Sequence, residues 1–308
     1  MKYLFKSAIQ NAVSLLPDKV SQTLYYQVQR KWGALRKTAV LRYIRPALRL
    51  MKMVPASSLR GKIIMEVGTG RTVAAPLAFW LAGADSTHTY DLNYYLKDEL
   101  TKACLIDIRE REAELKAIYA DAGVPIQAER IEALCRCHGP SDAMRLAGIH
   151  YAAPADAGAT SLPAKSVDIH FSINVLEHVS LTSIKAILRE AVRVLRPGGL
   201  LIHQIDPSDH FSHSDKSISA INFLRFSDLQ WKLLAGNPFM YQNRLRAVEY
   251  VRLLEDAGLV VEKHEATIDK RCMTLLRHGF RIHSDFRQYN VEELATTQIL
   301  VLARKPNE

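Results

Sequence analysis

Apolar residues recur along this chain in two rhythms, short β-branched runs and longer stretches with a helical period. Lys62-Ile-Ile-Met-Glu-Val67 is a compact run that predicts a buried parallel strand. It passes into Gly68-Thr-Gly70 and then into Val73–Ala82, apolar nearly all round and closed by Gly83. The segment reads as strand, glycine turn and buried helix. Ser86–Asn93 reads as a second strand with an acid, Asp91, at its tip. The run Val167-Asp-Ile-His-Phe-Ser-Ile-Asn-Val-Leu-Glu-His178 supplies another strand. Ile184, Ile187, Leu188, Ala191, Val192 and Leu195 then fall on one helical face. Arg193 and Arg196 sit near the end of that helix, where its dipole favours cations. Pro197-Gly198 suits the centre of a type II turn, and Leu200–Ile205 follows as a strand. Ala247, Val251 and Leu254 form a last helical face stopped by Gly258. Leu259–Ile268 and Thr297–Ala303 read as two closing strands. This alternation predicts an α/β fold: a doubly wound, mostly parallel sheet with its ligand at the C-terminal strand edge.

Two stretches do not fit the minimal alternation. Residues 101–150 carry a charged helical pattern, and residues 269–295 make an unusually long connection. A third, about residues 206–245, exceeds a normal strand–helix connection and reads as an insertion at the mouth of the site.

Charge separates the N-terminus from the rest. Residues 1–60 hold 12 of the 41 Lys/Arg and one of the 32 Asp/Glu, Asp18, so the rest of the chain is nearly neutral at 29 bases against 31 acids. Within this basic segment Leu24, Val28, Leu35, Val40, Leu41, Ile44 and Leu48 recur at helical spacing. Arg30, Lys31, Arg36, Lys37, Arg42, Arg45 and Arg49 fill the gaps, and Pro17, Gly33 and Pro46 divide the segment into short helices. The division is therefore a basic helical extension over 1–60 and a main domain over 61–308. The extension reads as a cover over one edge of the core, or as a dock for an anionic membrane through residues 1–53. Nucleic acid is not expected as a partner, because no binding motif accompanies the charge. The first 16 residues make a poor secretory signal, since Lys6, Gln10 and Asn11 interrupt the apolar run.

Overall composition excludes little else. No apolar run reaches the ~18 residues needed to span a bilayer. Four cysteines, Cys104, Cys135, Cys137 and Cys272, are too few for a disulfide framework and point to a reducing, cytoplasmic compartment. Cys135-Arg-Cys137-His138 is spaced too tightly for the usual zinc pair, and no second pair follows.

The first strand carries the clearest chemistry. Gly68 and Gly70 let the chain turn sharply and a ligand approach the backbone, and the following helix offers free N–H groups. Asp91, 21 residues after Gly70, suits a ribose diol. Dinucleotide and S-adenosylmethionine (SAM) sites share this arrangement, and two details separate them. Val73 stands where the dinucleotide fingerprint has its third glycine. Glu66, at the strand end, would repel a pyrophosphate but can meet the ammonium of SAM.

With these residues in order, the sequence resembles the class I SAM-dependent methyltransferases, particularly their type 11 group. The resemblance is close over residues 60–205 and looser over 245–303. Glu66-Val-Gly-Thr-Gly70 stands at the family's acidic-x-Gly-x-Gly motif, Asp91 at its ribose-binding acid, and Leu176-Glu-His178 at the ending of its fourth strand. Arg196-Pro-Gly-Gly199 stands at the turn before its fifth. Asp156, ahead of Leu162-Pro163, resembles the adenine-side motif at a longer spacing than usual. The resemblance implies a seven-stranded Rossmann-like sheet ending in an antiparallel hairpin. It implies SAM as cofactor, held by Glu66, Gly68, Thr69, Gly70, Asp91, Leu92, Asp156, Ala157 and Asn174. Glu177 and His178 would support the site rather than perform chemistry.

The acceptor side is less defined. The insertion opens with Asp206-Pro-Ser-Asp209-His210-Phe-Ser-His213-Ser-Asp215. Methyl transfer to a hydroxyl or amine calls for alignment and, often, a general base. His210 and His213 are the expected bases, oriented by Asp206 or Asp209. The same Asp and His residues could hold a divalent ion, a reading ranked behind the base, and no metal is expected. Phe223, Phe226, Trp231, Phe239 and Tyr241 line a pocket or form the core of a lid, and Arg225 and Arg244 face an anionic substrate group or nearby acids. Asn174-Val-Leu-Glu177 replaces the tetrapeptide of nucleobase amine methylases. The expectation is therefore a methyltransferase acting on oxygen of a small-molecule, glycan or lipid-linked acceptor. The competing expectation is a non-catalytic scaffold or regulator of the same fold docked at a membrane.

Overall fold

A computed structural model describes residues 2–33, 35, 40–55 and 59–307 of the chain. Arg36 and Lys37, counted above among the basic residues, lie outside the described residues.

The sheet has seven strands: β1 (Ile63–Val67), β2 (Ser86–Tyr90), β3 (Ile149–Ala152), β4 (Val167–Ile173), β5 (Leu195–Ile205), β6 (Val260–Ile268) and β7 (Thr296–Arg304). Their order is β3-β2-β1-β4-β5-β7-β6. The first five strands run parallel, and β7 pairs antiparallel to both β5 and β6. The doubly wound sheet and its closing hairpin are thus as expected. Strand β3 is an addition: its four residues follow the charged helical stretch too closely to show a rhythm of their own.

Helices cover both faces. They are α1 (Lys2–Ser14), α2 (Asp18–Trp32), α3 (Val40–Met51), α4 (Ala74–Leu81), α5 (Asp98–Glu110), α6 (Glu112–Ala122), α7 (Ala128–Cys135), α8 (Pro140–Leu146), α9 (Leu181–Val194), α10 (Asp228–Ala235), α11 (Ala247–Asp256), α12 (Lys270–Arg277) and α13 (Val291–Ala295). Successive strand residues point to opposite faces. Ile64, Ile169 and Phe171 accordingly join one core with α3, α4 and residues of α5 to α8. Met65, Val67 and Leu201 join the other core with α9 and α11. The stretch 101–150 is thereby explained: Leu105, Ile108, Ile131 and Leu134 pack over the α4 side of the sheet.

A third apolar cluster lies in the excursions that follow β5 and β6. Phe211, Phe223 and Trp231 from the insertion pack with Cys272, Phe286 and Leu294 from the long 269–295 connection. Most of the aromatics of the insertion therefore build the interior of this cap. Phe239 stacks instead on Tyr25 of α2, with ring centroids 4.5 Å apart.

The N-terminal segment is woven into the same body. Ile44, Ala47, Leu48, Leu50 and Met51 of α3 are buried in the main core. Helix α1 lies on the cap, with the Tyr3 amide donating to Asp215 Oδ2 (3.0 Å) and Ser7 Oγ to the Leu234 carbonyl (2.6 Å). The change in charge near residue 60 therefore marks no break in packing. Along α2 one row remains uncovered: Val20, Leu24, Val28 and Trp32 recur every four residues and are 52%, 42%, 39% and 69% exposed. No helix among the described residues is long and apolar enough to cross a membrane.

Candidate active site

The C-terminal ends of β1, β2 and β4 meet at a cavity of about 500 Å³. Glu66, Gly68, Thr69, Gly70, Asp91 and Asn174 line it. Gly68, at φ +82°, passes so close to β4 that a Cβ there would stand 2.5 Å from Val175. Gly70, at φ +71°, would carry its Cβ into open space, leaving a bare backbone cradle on the cavity wall. Its N–H donates to Asp91 Oδ2 (3.1 Å), so the acid at the tip of β2 already holds the glycine turn.

Glu66 is buried at the strand end and accepts from Thr89 Oγ1 (2.5 Å). Burial pushes its carboxyl up to about 8, against that hydrogen bond and with the charge of Asp91 adding to the rise. Asp91 is also raised by burial, to about 7, although Gly70, Tyr151 and Thr69 hydrogen-bond to it. Both acids therefore hold protons near neutrality until a cationic or hydroxyl-bearing ligand compensates them.

An acid at the first strand end, a Cβ-free cradle and a second acid on the next strand fit the ammonium, the linking atoms and the ribose of SAM respectively. Residues 123–203 match the family model described as a methyltransferase domain. That stretch runs from just after α6 into β5, so the methyltransferase-domain signature covers β3, β4 and α9. Among solved structures this chain is similar to a SAM-dependent methyltransferase from Mesorhizobium loti, at 18% identity and a TM-score of 0.42, covering 84% of this chain and 96% of that one. It is also similar to geranyl diphosphate C-methyltransferase from Streptomyces coelicolor A3(2), at 11% identity and a TM-score of 0.48, covering 84% of this chain and 78% of that one. No curated protein matches the sequence.

The remaining residues expected to hold a cofactor fall in two groups. Asn174 takes φ +54°, and its Oδ1 accepts from Gln204 Nε2 (2.9 Å), which fixes its side chain beside the cavity. Leu92, Asp156 and Ala157 are not among the lining residues. Leu92 is exposed, Asp156 closes its own turn by accepting from the Gly158 amide (2.7 Å), and Ala157 packs into the α9 core. Sequence reasoning missed a wall: Leu35, Arg42, Tyr43 and Pro46 of the N-terminal segment also line the cavity. Arg71, next to the cradle, lies between the rings of Tyr26 on α2 (5.2 Å) and Tyr95 (5.1 Å).

Toward the acceptor side, His178 lines the cavity and starts a row of imidazoles. Its ring lies 4.8 Å from that of His210, which stacks 4.7 Å from that of His213. Asp206 Oδ2 stands 3.6 Å from His210 Nε2 and 3.4 Å from His213 Nε2. Its Oδ1 accepts from the Ser208 amide (3.0 Å), which orients the carboxylate. Of the two acids, Asp206 is the one that faces the imidazoles. Asp209 has another task, capping its own turn through the Phe211 amide (2.8 Å) and bonding Asn222. Burial pulls His210 down, but Asp206, Glu177 and Asp209 outweigh it and raise its basicity. His213 is lowered by burial and by the His210 charge, which leaves it neutral near pH 7. Arg244 pairs with Asp228, whereas Arg225 is exposed.

One unanticipated residue fixes this corner. Arg246 is fully buried and donates to four backbone carbonyls, those of Pro207 (2.7 Å), Glu293, Leu294 and Thr296 (2.8 Å). It ties the exit of β5, where Asp206 sits, to the entry of β7.

Proposed function

We propose that this chain is a SAM-dependent methyltransferase that acts on a hydroxyl oxygen of a small-molecule, glycan or lipid-linked acceptor. The observation that carries the reading is the row His178–His210–His213, which runs from the rim of the cofactor cavity toward solvent beside Asp206. SAM, when bound, supplies an electrophilic methyl and a thioether leaving group. The chain's part is to hold the donor through Glu66, Asp91 and the Gly70 backbone, and to receive the hydroxyl proton. His213 is the fitting base, because its side chain is 52% exposed, neutral and faces the Asp206 carboxylate. As the new carbon–oxygen bond forms, the proton passes to the imidazole and Asp206 stabilises the resulting cation.

Among the acceptor classes, a lipid-linked one is favoured by the exposed row Val20–Leu24–Val28–Trp32 with Lys19 and Lys31 beside it. An apolar helix ridge flanked by cations suits the interface of an anionic membrane. Incubation of the protein with labelled SAM and fractionated lipid, glycan and small-molecule extracts tests the reading. The expected result is a methyl-sized mass gain on an oxygen-bearing lipid. Label found solely on nitrogen or on protein would overturn the assignment, and no heat in a SAM titration would favour the scaffold instead.

A further inference from the structure

Glu177 has no task in the proposed methyl transfer, yet it converges with His178 and His210 from the imidazole row. One donor atom from each lies within 4.8 Å of the others. Glu177 and His178 end the turn after β4, and His210 lies on the turn after β5, so two neighbouring parallel strands deliver the three side chains to one point. Glu177 is fully buried, and no side chain hydrogen-bonds its carboxylate, which the backbone amides of Glu177 itself and Asp206 approach. His210 Nε2 is buried too, with Asp206 Oδ2 at 3.6 Å, beyond ordinary hydrogen-bond reach. Burying a carboxyl group with so little compensation is costly, and a cation is the group that offsets such a cost most directly.

The surroundings are those of a ligating set. His178 Nδ1 donates to the Tyr241 carbonyl (2.8 Å), which leaves the lone pair on Nε2. A backbone carbonyl behind an imidazole is the arrangement that orients metal-binding histidines. Asn243 braces the turn, donating from Nδ2 to the carbonyls of Leu176 (2.7 Å) and Val179 (2.9 Å) and from its amide to that of Glu177 (2.9 Å).

The geometry points to a divalent-cation site formed by Glu177, His178 and His210, open to the cofactor cavity on its His178 side. Two imidazoles and a carboxylate suit Mn²⁺ or Zn²⁺ better than Mg²⁺, which takes oxygen and water ligands. Metal–ligand distances of roughly 2.0–2.2 Å would draw the three donors closer together. Asp206, oriented by Ser208, stands 3.6 Å from His210 Nε2 and 3.4 Å from His213 Nε2 and is not one of the three donors. The open coordination positions would face the acceptor, but ion binding itself does not depend on the reading of the acceptor.

The test uses the full chain stripped with a chelator and titrated calorimetrically with Mn²⁺, Zn²⁺ and Mg²⁺. One Mn²⁺ or Zn²⁺ per chain is expected, with Mg²⁺ at least about tenfold weaker. Co²⁺ should give a visible absorption band. Glu177→Gln and His210→Ala should each weaken Mn²⁺ binding by about thirtyfold or more while SAM binding is kept, and His150→Ala, at the remote His88–His150 stack, should bind like the parent. No saturable binding by the parent, or unchanged binding by both triad variants, would overturn the site. Should Glu177→Gln fail to fold, His210→Ala decides alone. Loss of SAM binding by the parent would instead count against the methyltransferase reading and leave the cation result standing.

Discussion

SAM affinity is expected to climb with pH across neutrality, because both acids at the donor end are protonated in the free protein. Burial places Glu66 at about 8 and Asp91 at about 7. An ammonium and a ribose diol are each served by a carboxylate, so binding must expel protons. The sign follows: affinity is low where expulsion is expensive and rises as pH approaches the free-protein values. Between about pH 6 and pH 7 Glu66 alone contributes about tenfold, ~1.4 kcal/mol per unit, and Asp91 adds about fivefold. The product, about fifty-fold, is trimmed a little by the donor's own amine, which loses its proton at roughly 7.7–8.0. Isothermal titration calorimetry in two buffers of different ionisation enthalpy measures both affinity and released protons. Glu66→Gln should cut the rise to about fivefold, and Asp91→Asn to about tenfold. Level affinity across this interval in the parent would refute the placement of these carboxyls against the donor.

Three further outcomes follow from the structure. His213→Ala should lower kcat by about 10²–10⁴-fold with SAM affinity kept, as loss of a general base does; unaltered turnover removes it from that role. Arg246→Met should destabilise the fold by about 3–5 kcal/mol in urea unfolding, because four carbonyls lose a buried charged donor; a change below about 1 kcal/mol would show that water replaces it. Leu24→Asp with Val28→Asp should reduce co-sedimentation with anionic liposomes at least about tenfold, since each apolar side chain is worth roughly 1.5–3 kcal/mol when buried; equal co-sedimentation would discard the α2 ridge as a dock.

The cavity wall at β1 and β2 was legible because strand, turn and helix are contiguous. Glu66, Gly68, Gly70 and Asp91 are spaced by local geometry, and the sheet then has little choice but to assemble them. Asn174 and the Asp206–His213 loop were legible for the same reason, as continuations of β4 and β5. What escaped depends on contacts between distant segments. Tyr43 and Pro46 reach the cavity from a helix that precedes the sheet, and nothing in an amphipathic basic pattern tells which face meets a ligand. Glu177 reads as a capping acid until its burial is seen, and Arg246 reads as one more surface base. Asp156 and Ala157 stand off the cavity because the turn after β3 closes on itself. The aromatics of the insertion promised a pocket, but a cap of this size first needs an interior of its own.

Tyr43 and Pro46 sit on α3, and Tyr26 of α2 touches Arg71 beside the cradle. Helices α2 and α3 therefore both give residues to the surroundings of the cavity, while α2 also turns the Val20–Trp32 row outward. A ligand in the cavity and a surface bound to that row would thus meet on one helix, and each would be felt by the other.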